Sequence, residues 1–268
     1  MALNRQLSFI LVLIAHQATS LTLELVRTVL IDRPINISID RTGQVYHATY
    51  NGVVARYDPM LDKKEDFSPP NPATCNLLEA WQGLRIFTFH REMQLFRLIN
   101  RNLSLHEDYR LQGEVGFIEL ATPTFDNNLW LIDITDFTLK KFQLFSNTIL
   151  SRTPLDLVLS PVNYDILYMK EFQNNIFVSS KTKGILIFDN LGNFVKTYPF
   201  KNISHFGFDG EEMYFLSDNH IILINLYTDN QRSISIPAGP NWLFVSLAGE
   251  KTYLYTPNSL SLYKTITR

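Results

Sequence analysis

The chain has 268 residues, 46% of them hydrophobic, a formal net charge of −2 and a single cysteine. That is enough apolar material for one large core, and all-β chains of this size commonly form one domain. The balanced charge forms no basic stripe or acidic tail, which argues against nucleic acid as a partner, and a lone cysteine excludes an internal disulfide.

Arg5, the apolar run 7–15 and the small residues Ala18 and Ser20 follow the pattern of a secretory signal peptide cleaved after Ser20. A buried N-terminal strand or a short anchor is the competing reading; the run is short for a bilayer span, which needs about 20 residues. Residues 1–20 are therefore expected to be a signal peptide and 21–268 a single exported domain, periplasmic or extracellular after cleavage. No later segment is apolar over enough length to predict a transmembrane helix. Cys75 follows Pro72-Ala73-Thr74, matches no nucleophile signature and reads as a half-buried thiol.

From residue 22 onward the chain repeats itself. Short alternating segments carry an aromatic after a mostly aliphatic residue at Tyr46, Phe87, Trp130, Phe177, Tyr214 and Tyr253. Successive spacings are 41, 43, 47, 37 and 39 residues, a period typical of repeat architectures. A turn rich in Gly, Asn or Asp precedes most of them, such as Arg41-Thr42-Gly43, Asp126-Asn127-Asn128 and Asp209-Gly210-Glu211, where residues tolerant of positive φ make tight hairpins. The fourth unit reads as four strands, 166–170, 176–180, 185–189 and 194–198, labelled a to d. Long helical periodicity is missing. Four strands per unit at this period select an all-β, six-bladed β-propeller. The last unit has strands 242–247, 252–255 and 260–265 but no fourth. The segment 22–31, which belongs to no unit of its own, is expected to complete that blade and close the ring, hiding a sheet edge; a monomer is expected.

Gly184-Ile185-Leu186-Ile187-Phe188-Asp189-Asn190-Leu191-Gly192-Asn193-Phe194-Val195-Lys196-Thr197-Tyr198 resembles an NHL-type repeat, as do Arg41–Tyr46 and Val53–Asp58. The chain is similar to the broad six-bladed group that includes SMP-30/gluconolactonase-like proteins and, in particular, to uncharacterised exported bacterial propellers. The resemblance implies the fold over nearly all of 22–268. The lactonases of the group imply inward carboxylates and amides around a divalent metal, a set that does not map residue by residue onto this chain. The Trp-Asp ends of WD40 blades and the Asp-boxes of sialidases are missing.

No His pair, Cys/His cluster, Gly-x-Ser-x-Gly or phosphate-cradling loop occurs, so no catalytic residue and no cofactor is assigned. Asp189-Asn190-Leu191-Gly192 reads as a turn rather than a calcium loop. In a propeller the d–a and b–c connections share one face, where strand a begins at the channel mouth, and ligands favour such concave sites. The starts of strand a place Asn36, Asn76, Glu119, Asp165, His205 and Asn241 there, a candidate ligand ring that leaves room for a divalent cation in the channel. The b–c tips carry Tyr50, His90, Arg91, Asp136, Phe137, Lys181 and His220, with Tyr50 and Phe137 expected to be exposed and suited to a partner protein. The leading expectation is a non-enzymatic propeller that binds a protein or cell-envelope component through this face. The alternative is a metal-dependent lactonase- or hydrolase-like enzyme at the channel mouth.

Overall fold

The computed structural model describes residues 21–80, 83–111, 113–162 and 164–267. The expected signal peptide lies outside these residues. Six four-stranded antiparallel sheets form six blades, with strand a innermost and strand d outermost in each. The inner strands are Pro34–Ile39, Leu77–Glu79, Ile118–Pro123, Ile166–Phe172, Phe206–Asp209 and Phe244–Ala248 for blades 1 to 6. They meet one another around a central axis. Among the described residues the one helical turn is a 3₁₀ turn at Arg91–Met93, and no helix is long and apolar enough to cross a membrane.

Blade 4 shows why the repeat folds as it does. Its strands Ile166–Phe172, Asn175–Ser180, Gly184–Asp189 and Phe194–Tyr198 match the predicted set within two residues at each boundary. Gly184 sits at φ 104°, and a Cβ there would collide with the Tyr198 carbonyl, so only glycine opens strand c beside strand d. The turn after strand c is built on Asp189, whose Oδ1 accepts the backbone N–H groups of Leu191 and Asn193 at 2.9 and 2.8 Å. Burial pushes the Asp189 carboxyl up, but the hydrogen bonds it accepts outweigh that and hold it below its ordinary value. Asp40 and Asp58 do the same work, each accepting the N–H groups two and four residues on. These carboxylates are turn anchors; the second oxygen of Asp40 also accepts the Tyr46 hydroxyl, and that of Asp58 pairs with Lys64.

The apolar core fills the seams between blades, and its largest cluster runs through blades 2 to 5 and takes in inner-strand residues such as Leu77, Tyr168 and Phe206. Tyr46, Ala48 and Val54 of blade 1 pack with Leu78, Ile86 and Ile99 of blade 2, and equivalent clusters fill the other seams. The six repeating aromatics are all at most 2% exposed. Some also reach across a seam with a polar tip. Trp130 Nε1 donates to Glu171 Oε2 of blade 4 at 2.9 Å, and the Tyr253 hydroxyl donates to the Pro59 carbonyl of blade 1 at 3.0 Å. These two thus add a hydrogen bond to the burial of a large ring, the usual way a buried Trp or Tyr is satisfied.

The ring closes as predicted. Leu21–Leu30 lies antiparallel to Ser259–Thr267, with Leu23 opposite Thr265 and Leu30 opposite Ser259, and so supplies strand d of blade 6. The Thr28 and Ser261 hydroxyls bond across the join at 2.9 Å. A register shift between Leu25 and Arg27 bends the closing strand. Cys75 is buried completely, deeper than the half-buried thiol expected, and burial pushes its pKa up to about 12, leaving it unreactive.

Candidate functional site

The centre of the ring is filled. Lys170 Nζ of blade 4 meets Glu79 Oε2 of blade 2 at 2.8 Å, with both side chains at most 10% exposed. Ser38 of blade 1 donates to Glu79 Oε1 at 3.5 Å and accepts the Ala80 N–H at 2.9 Å. Tyr168 lies beside His205, ring centres 4.5 Å apart, and His205 Nε2 bonds the Ile37 carbonyl at 3.2 Å. Four blades are therefore tied across the axis by polar contacts. None of Glu79, Lys170, Ser38 or Tyr168 was singled out in the sequence, because the pairs that join them are remote in the chain and carry no local signature.

The expected ring of six polar residues does not form as a ring; it divides. On the blade 2–3 side, Asn76 Oδ1 accepts the Arg91 N–H at 2.8 Å and Arg91 Nη1 pairs with Glu119 Oε1 at 2.5 Å. Gln94 adds bonds to the Arg91 and Ile118 carbonyls and accepts the Ile118 N–H. Asn36 turns into the wall, 8% exposed, and donates to the Cys75 carbonyl at 2.9 Å. Asp165 is exposed, with φ 37°, and its carbonyl accepts the Lys181 N–H.

On the blade 5–6 side, His205 and Asn241 line one cleft of about 290 Å³ together with Asn202, Ser204, Asp218 and His220. The d–a loops supply Asn202, Ser204, His205 and Asn241, and the b–c turn of blade 5 supplies Asp218 and His220. Asp218 takes φ 46°, the left-handed turn position that Asp tolerates. His205 is 9% exposed, and burial first, then the charge of Lys170, push its pKa down to about 3. The ring is neutral at ordinary pH. With Nε2–H donating to Ile37, Nδ1 is an acceptor, and it has no partner among the described residues.

Two of the expected tip residues are corrected. His90 is 1% exposed; its ring bonds the Thr88 hydroxyl and the Thr74 carbonyl, 3.0 Å each, at the end of strand b. Phe137 is 9% exposed rather than projecting. Its φ of 54° folds the chain back so that its ring packs on Tyr164, 5.6 Å away. Neither side chain is presented to a partner. Asp136 is exposed but pairs with Lys140 at 2.8 Å and accepts the Thr138 hydroxyl. Tyr50, Lys181 and His220 are exposed as expected.

Among the described residues no three His, Cys, Asp or Glu side chains gather where they could hold a metal ion.

The fold and this face define a six-bladed β-propeller with an open polar cleft between blades 5 and 6. No protein-family model matches the chain, and no curated protein sequence matches it. Solved structures share the fold. A catalytically inactive virginiamycin B lyase from Staphylococcus aureus, with quinupristin, is 11% identical over 90% of this chain and 99% of its own, with a TM-score of 0.60. A streptogramin B lyase is 13% identical over 92% of this chain and 98% of its own, with a TM-score of 0.61. The β-propeller domain of Cps50 (Swd1) from Myceliophteria thermophila is 9% identical over 90% and 99%, with a TM-score of 0.65. At these identities the likeness is one of fold.

Proposed function

We propose that the chain is an exported, non-enzymatic propeller of the NHL or SMP-30-like group that binds a protein or another cell-envelope component through the face bearing the d–a and b–c connections. One observation carries this: the cleft between blades 5 and 6, where polar side chains from separate loops converge on open space. These side chains are exposed to water and are not used by the fold, so they are available to a ligand that enters the cleft. Fold alone does not discriminate between binding and catalysis; the binding reading rests on the exposed side chains gathered at the cleft.

The test is capture from envelope extract by wild-type protein and by the Asp218→Ala/His220→Ala/Asn241→Ala triple variant. The expected result is a component retained by the first and lost from the second. Equal retention by both, or retention by neither, sinks the proposal. Elemental analysis of the purified protein tests the alternative, which requires a stoichiometric divalent metal that the triple variant loses.

A further inference from the structure

We infer that the cleft between blades 5 and 6 is a saccharide-binding site. The inference rests on the binding proposal above and names the chemistry of its ligand.

The side chains of Asn202, Ser204, Asp218, His220 and Asn241 line the cleft. Among the described residues, none of the five side chains takes part in a hydrogen bond or ion pair. Amide, hydroxyl, carboxylate and imidazole groups thus offer donors and acceptors side by side, each with free capacity. A hydroxyl is both donor and acceptor, and a ring of hydroxyls matches such a mixed set better than a ligand that only accepts or only donates.

Charge narrows the class. No lysine or arginine lines the cleft, and Asp218 is its one carboxylate. A phosphate, sulfate or acidic peptide would meet an anion and no fixed cation. The rest of the lining mixes polar Ser217 and Asn219 with apolar residues, among them Trp242 and Phe244. The Trp242 indole is fixed: its Nε1 donates to the Pro237 carbonyl at 2.9 Å, and its ring meets Tyr263 edge-on at 6.2 Å. A pyranose ring has one face of C–H groups and a rim of hydroxyls, and it fits a lining that offers both aromatic and polar groups. The volume is at the small end of ligand clefts, suited to the terminal one or two sugars of a glycan rather than to a long stretch of chain. Aromatic contact and a few placed polar groups on a rigid frame are what a small-ligand site needs.

The experiment is an array of immobilised neutral and N-acetylated mono- to tetrasaccharides, followed by calorimetric titration of any glycan retained. Wild type is expected to bind a defined terminal sugar. Asp218→Ala, His220→Ala and Asn241→Ala are each expected to weaken binding about tenfold with the melting temperature unchanged, because Asp218, His220 and Asn241 are exposed. Competition by the free monosaccharide supports recognition of a terminal sugar; competition only by a longer free oligosaccharide supports an extended site in the same cleft. No binding to any glycan, or binding that all three variants preserve, overturns the inference. If glycans fail but the envelope component is still lost from the triple variant, the saccharide assignment falls and the binding proposal stands. If both assays are empty, both fall.

Discussion

The two sides of one propeller face treat polar residues in opposite ways. Around blades 2 and 3, Asn76, Arg91, Glu119 and Gln94 bond one another and the backbone. Around blades 5 and 6, Asn202, Ser204, Asp218, His220 and Asn241 surround open space. Residue types are similar on both sides, so composition does not distinguish them. What differs is whether the loops bring partners within reach. A polar side chain that has found its partner stabilises the fold; one held beside a cleft without a partner is available to a ligand. Position at a channel mouth is therefore a weaker guide to function than the state of each group's hydrogen bonds.

If paired polar groups hold the fold and unpaired ones serve a ligand, stability losses should fall in order of pairing and burial. The largest is expected at the axis. Lys170→Met removes the cation beside buried Glu79 and should cost about 3–5 kcal/mol, measured by denaturant unfolding; the added Glu79→Gln change should restore part of it. A Lys170→Met protein as stable as wild type would falsify the structural role of the plug.

Acid comes next. His205 and His47 are buried, with folded pKa values near 3 and 4 against 6.5 when unfolded. The unfolded chain binds protons first, so the stability these neutral rings contribute is whole above pH 6.5 and is lost as pH falls toward the folded values. The expected loss is on the order of 2 kcal/mol each by about pH 5. Replacing His205 by Gln should flatten its share of the curve; a stability profile level from neutral pH to about pH 5 would contradict the neutral assignment.

Smaller still is the blade 2–3 network. Glu119→Gln should lower stability by about 0.5–1 kcal/mol, since the Arg91 partner is partly solvated, and should leave capture of the envelope component intact. The smallest stability changes belong to the open cleft: Asp218→Ala, His220→Ala and Asn241→Ala should each fall within about 0.5 kcal/mol of wild type, yet each should weaken capture and the three together should abolish it. Reversed outcomes, with capture lost in Glu119→Gln and kept in the cleft variants, would move the site to the other side of the face.

Much of the architecture was legible in the chain because every blade repeats the same demands: an aromatic for the seam, a turn residue tolerant of positive φ, alternating strands. Repetition converts weak local signals into a strong one. The site was only partly legible. His205, His220 and Asn241 were among the candidates, but so were residues that the structure spends on itself. One cause is the start of strand a. The pairing with strand b shifts register between Pro34 and Asn36, between Ile118 and Leu120 and between Ile166 and Tyr168. A shift of one residue reverses which way side chains point, so alternation could not tell that Asn36 turns into the wall. Phe137 shows a second cause, a positive φ on a bulky residue, which no propensity anticipates. The pairing of Glu79 with Lys170 shows a third: contacts across the axis join distant segments, and neither residue differs from an ordinary surface charge when read alone.

The closing strand has a consequence for how the molecule is made. Five blades are built from consecutive hairpins and can form from local segments as they become available. Blade 6 cannot, because Thr28 must find Ser261, 233 positions away. Non-local pairings of this kind slow folding, since chain entropy is lost before contacts compensate for it. The seam is thus expected to be the slow kinetic step of assembly: until it locks, Leu21–Leu30 is an unpaired strand beside an unpaired edge, open to the matching edge of another copy. Refolding at high protein concentration should consequently divert chains into swapped assemblies joined through blade 6, whereas dilution should return closed single rings.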